Sequence, residues 1–148
     1  MLIPSLGLQG AASGSQRKVS DLLRQRQYLE SFEVYHISDG AMYRARISLE
    51  ALISSMPARD YAKISADNSF AIDSLYWGLN DTIVFDGPCE GNDVDVRWAI
   101  VLNYRDHTKE ALGFNRISNC LQLLSRKAPI ATTSGLVAFV DRTFGFMR

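Results

Sequence analysis

The chain is poor in the residues that most often carry chemistry. It has two cysteines and two histidines in 148 residues, little material for a metal centre or a nucleophile–base pair. Cys89 and Cys120 are far apart and in no metal-type spacing. A single disulfide between them is conceivable, but a chain with this much core does not need one, and reduced thiols are expected. Cys89 and His107, with an aspartate orienting the imidazole, would make a thiolate–imidazole pair. Asp86 and Glu90 beside Cys89 oppose it, because neighbouring carboxylates raise a thiol's pKa. Cys120 falls among apolar residues at helical spacing and reads as core. His36 alternates with Phe32 and Val34 and reads as a packed or edge histidine.

Familiar motifs are also missing. Neither Ala12-Ser13-Gly14-Ser15 nor Thr133-Ser134-Gly135 matches the Gly-x-Ser-x-Gly elbow of a hydrolase. There is no phosphate-binding glycine loop, no dinucleotide fingerprint, no internal repeat and no low-complexity tract. No apolar run approaches the ~20 residues that span a bilayer. The opening Met1-Leu2-Ile3-Pro4-Ser5-Leu6-Gly7-Leu8 lacks a basic flank and is broken by Pro and Gly, unlike a signal peptide. Leu2 stands where N-myristoylation needs glycine. A soluble, intracellular protein that is not secreted is the expectation.

What is present is ordinary for a globular chain: 47% hydrophobic and 22% charged residues, with no net charge. The charge is uneven along the sequence. Residues 1–59 carry seven Lys/Arg against five Asp/Glu, residues 60–106 three against nine, and residues 107–148 six against two. If this polarity survives folding, it favours head-to-tail contacts between copies. Arginine outnumbers lysine twelve to four.

Local patterns divide the chain into a flexible arm over residues 1–16 and a single α+β domain over 17–148. Val19, Leu22, Leu23 and Leu29 predict a helix over 17–31, with Ser20 as its cap and a basic face of Arg17, Lys18, Arg24 and Arg26. Phe32–Ile37 and Ala41–Ile47 read as a hairpin around Ser38-Asp39-Gly40, with Arg44 and Arg46 on its outer face. Ser48 caps a helix through Met56, and Pro57 ends it or opens a short helix to about Ile64. Phe70–Trp77 and Thr82–Phe85 read as strands, and 86–93 as a loop. Val94–Tyr104 reads as a long central strand, since Ala99-Ile100-Val101-Leu102 suits burial on both faces. Ile117, Cys120, Leu121 and Leu124 predict a helix to Lys127. Residues 130–133 and 136–146 would close the sheet as strands. The fold class is therefore α+β, a mainly antiparallel sheet with two to four helices behind a flexible arm and a basic amphipathic helix.

Three functional readings follow. The first is a non-enzymatic structural or adaptor protein that self-associates or binds a macromolecular partner. The arm and first helix supply one contact, and the face of Arg44 and Arg46 another. The layout is similar to that of small viral matrix-type structural proteins, a likeness of organisation that carries no residue across. The second is a metal-dependent nuclease or transferase in which Asp86, Glu90, Asp93 and Asp95 gather oxygen ligands for Mg²⁺ or Ca²⁺. The third is an RNA-binding module using the hairpin and N-terminal helix, with an anionic membrane surface as another target of the basic leader. Neutral net charge weighs against the third. No cofactor is expected.

Overall fold

The computed structural model describes residues 16–38, 46–54, 61–89, 94–126 and 128–132, with positions 136, 138, 140 and 141. Residues 1–15 of the arm expected over 1–16 therefore lie outside the described residues, as do Arg44 and the tip of the expected hairpin. Eight strands form one sheet: β1 (Arg17–Lys18), β2 (Leu29–Ile37), β3 (Tyr61–Ala66), β4 (Ile83–Pro88), β5 (Trp98–Tyr104), β6 (Lys109–Phe114), β7 (Cys120–Leu123) and β8 (Ile130–Thr132). Their order is β1-β4-β8-β7-β6-β5-β2-β3, and every pairing is antiparallel. Among the described residues two α-helices with defined ends accompany them, α1 (Leu49–Ile53) and α2 (Ser69–Asn80). The chain is thus a mainly antiparallel α+β structure.

β5 lies inside the sheet between β2 and β6, and both of its faces are covered, as its apolar run predicts. On one face Trp98, Ile100 and Leu102 pack with Phe32 and Val34 of β2 and Leu112 and Phe114 of β6. α2 closes that side with Ala71, Ile72, Leu75, Tyr76 and Leu79. On the other face Ala99, Val101 and Ala111 meet Leu49 and Leu52 of α1, together with Val94 and Val96. The second layer is thin, and Gly113 shows how tightly it sits. A Cβ there would stand 3.1 Å from Leu49 Cδ1 and from both Val96 methyls, so a larger residue would require Leu49 and Val96 to give way.

Four expected elements are corrected. The helix over 17–31 is replaced by β1, two 3₁₀ turns (Val19–Leu22 and Arg26–Tyr28) and the start of β2. Val19 and Leu29 are buried and Leu22 and Leu23 partly buried by docking rather than by helical periodicity, and Val19 donates its N–H to Thr82 O at 2.7 Å. Phe70–Trp77 is helix, not strand. Asn68 caps α2 by accepting from Ala71 N–H at 2.8 Å, and the 71/72/75/76/79 period overrides the strand preference of Phe, Ile, Tyr and Trp. The 117–127 helix is β7 instead. Asn115 Oδ1 accepts from the N–H groups of Ile117 and Ser118, an Asx turn that starts no helix, and Ile117 is 91% exposed. Leu136, Ala138, Val140 and Asp141 are helical rather than strand, with Leu136 and Val140 buried against the α2 side.

Two further differences follow from sheet topology. β2 has β3 on one side and β5 on the other across Phe32–His36, while residues 41–45 of the expected hairpin lie outside the described residues. The strand β3 also replaces the expected helix to Ile64. Cys89 and Cys120 are disulfide-bonded rather than reduced, with Cα atoms 5.8 Å apart, inside the range a disulfide requires. Among the described residues no helix is long and apolar enough to cross a membrane.

Candidate functional site

Asp95 is the one member of the expected acidic cluster whose side chain is described; the side chain of Asp86 and residues Glu90 and Asp93 lie outside the described residues. Asp95 spends both oxygens inside the fold. Oδ1 accepts from Ile47 N–H at 2.8 Å, while Oδ2 accepts from Arg97 Nε at 3.0 Å and Nη2 at 2.9 Å. Arg97 is buried, and its Nη1 donates to Ser38 O at 2.7 Å. This clamp fastens the segment after residue 45 to the entry of β5. Among the described residues no group of three or more His, Cys, Asp or Glu side chains is gathered as a metal would need.

The basic residues of the leader are partly consumed in the same way. Arg24 Nη1 bonds Asp106 and Thr108 in the β5–β6 turn, with its guanidinium over the rings of Tyr28 and Tyr104. Its backbone is held too: Arg24 N–H donates to Tyr104 Oη at 3.3 Å, and Tyr76 Oη donates to Arg24 O at 2.7 Å. Burial raises both phenols above the ordinary tyrosine range, so both keep their protons at any physiological pH. Hydrogen bonds from Thr108 and Arg24 hold the Asp106 carboxyl down to about 2. Arg26 pairs with Asp73 on α2. Arg17 and Lys18 are exposed on β1 at the sheet edge, and Lys18 N–H donates to Asp21 at 3.1 Å.

Arg46 is exposed at the rim of a cleft of about 700 Å³, where Glu50, Gln122, Ser125 and Arg126 are among the lining residues. Much of its polar lining is already bonded. Ser48 Oγ caps α1, Ser125 Oγ donates to Glu110, and Gln122 Nε2 donates to the carbonyls of Leu123 and Arg126. A ligand there would meet few polar groups aimed at it.

The feature that sequence reasoning missed lies on α2. Its outward side carries Phe70 and Trp77, which are 75% and 74% exposed. Seven residues apart, they stand one above the other on the helix. Asp73 lies between them and is neutralised by Arg26, and Tyr28, two residues from Arg26, is 43% exposed. The half-buried Ser74 and Gly78 flank the two rings with small side chains. The signal was present in the Asn68 cap and the helical period, but reading 70–77 as a strand distributed these aromatic residues over two faces. By contrast Trp98, the other tryptophan, is 2% exposed and stacks on His36 with ring centroids 3.7 Å apart.

Compared with family models, curated proteins and solved structures, the chain matches none.

Proposed function

We propose that this is a non-enzymatic structural or adaptor protein whose work is contact, with itself or with a macromolecular partner, made through the outer face of α2. The observation that carries the reading is the pair Phe70 and Trp77, large aromatic side chains left in water on the longest helix described. Large aromatic residues gathered on an exposed face mark interaction surfaces. This reading puts the contact on α2 rather than on the basic face of the leader, because Arg24 and Arg26 are engaged in ion pairs within the chain.

The other readings draw less support. RNA or an anionic membrane would need the leader's guanidinium groups, and two of them already hold aspartates. A metal-dependent enzyme would need Asp95, whose oxygens serve Ile47 and Arg97.

Trp77 provides the test. It is the exposed one of two tryptophans, so collisional quenching by acrylamide reports chiefly on it in a Trp98→Phe background. Shielding that grows with protein concentration, or on adding a partner, is the expected result. A Trp77 as open to quencher as free indole under every condition would defeat the reading.

A further inference from the structure

Resting on the α2 contact face just proposed, we infer that its occupant is a second copy of this chain, with the two α2 helices antiparallel across a two-fold axis. The argument is one of spacing and charge. The midpoint of Phe70 and Trp77 falls between Asp73 and Ser74, so a two-fold axis placed there sets Phe70 of each copy opposite Trp77 of the other. Each bulky ring then meets a ring, flanked by the small Ser74 and Gly78, and two equivalent aromatic pairs close the contact.

The same axis brings the two Asp73 side chains together on one flank of the helix pair, since a two-fold perpendicular to both helices keeps each residue on its own flank. Two bare carboxylates facing one another there would oppose association. Arg26 removes that obstacle: its guanidinium already sits on Asp73 in each protomer, so the axis receives two neutral pairs, and each arginine can also reach the other copy's aspartate. The face therefore meets its own copy without like-charge repulsion. α2 has 12 residues and spans roughly 18 Å at 1.5 Å per residue, short for a standard interface of about 800 Å² per partner. The contact is therefore small, and the dimer is expected to be reversible in the micromolar range.

The experiment is sedimentation velocity on the full chain across about three decades of concentration, with tryptophan quenching on the same samples. The expected result is a monomer–dimer equilibrium in which Trp77→Ala weakens dimerisation at least about tenfold without lowering the thermal midpoint. Arg26→Gln weakens it comparably by baring both carboxylates, and Arg26→Gln/Asp73→Asn recovers most of the loss. That rescue belongs to the two-fold arrangement, because only there do identical aspartates meet. A dimer indifferent to Trp77→Ala, or an Arg26→Gln defect that Asp73→Asn does not repair, would overturn the arrangement while leaving α2 or another face as a contact. A strict monomer with Trp77 shielded would overturn the second copy alone; deletion of residues 1–15 would then show whether that segment covers the face. A strict monomer with Trp77 open to quencher would overturn both this inference and the function it rests on.

Discussion

Asp95 and Arg97 form the most constrained polar pair described, and their bonding decides what either can do. The carboxylate takes one backbone N–H and two guanidinium hydrogens, so the arginine is matched while buried. Asp95→Asn would leave that guanidinium without its counter-charge, and a loss of about 2–4 kcal/mol is expected on chemical denaturation. A metal ligand would behave otherwise, leaving the metal-free protein as stable or more so once the charge is gone. Equal midpoints for the two proteins without metal would therefore speak against the clamp. His107 is a smaller case. It holds φ of 70° in the β5–β6 turn, a region costly for side chains other than glycine. His107→Gly should raise stability by about 1 kcal/mol, and an unchanged or lower midpoint would contradict that.

At the scale of elements, the leader stays on the domain through a latch rather than through helix formation. Leu23–Gln25 separates the two 3₁₀ turns, and the Arg24 backbone is completed by two tyrosine hydroxyls. Tyr76→Phe and Tyr104→Phe should each cost about 1 kcal/mol and make the leader more open to limited proteolysis, with the core resistant as before. The side-chain half of the latch depends on pH. Asp106 has its pKa lowered from 3.8 to about 2, so its contribution is complete above the ordinary value and disappears as pH falls through the folded one. Leader protection in hydrogen exchange should therefore decline between about pH 4 and pH 2, and Asp106→Asn should abolish that dependence. Protection that is flat across this window would show that the ion pair contributes nothing to docking.

For the whole molecule, the Cys89–Cys120 bond joins the end of β4 to the start of β7 across 31 residues. Loop-closure entropy for that span gives about 3–4 kcal/mol. Reduction, or Cys89→Ala/Cys120→Ala, should lower stability by that order, and free thiols titrating in the untreated, denatured protein would refute the bond. Disulfides persist in oxidising surroundings, so the cross-link bears on where the folded protein resides. It also ties the β4–β8 end of the sheet to the thin layer under α1, where Cys89 and Cys120 pack with Val94 and Val96.

Sequence alone determined the class, the mainly antiparallel sheet, the double burial of Ala99-Ile100-Val101-Leu102 and the absence of a spanning helix among the described residues. Each of these depends on composition or on a period that any tertiary arrangement must respect. Tertiary structure decided the rest. Phe70–Trp77 and Ile117–Leu124 are short apolar segments compatible with either period, and the choice came from their neighbours: the Asn68 cap and apolar packing on a sheet face for the first, strand hydrogen bonds to β6 and β8 for the second. The candidate site changed for the same reason. Arg24, Arg26 and Asp95 look available in a linear chain, whereas folding brings each beside an opposite charge distant or close in sequence. Phe70 and Trp77 look like core until the helix turns them outward.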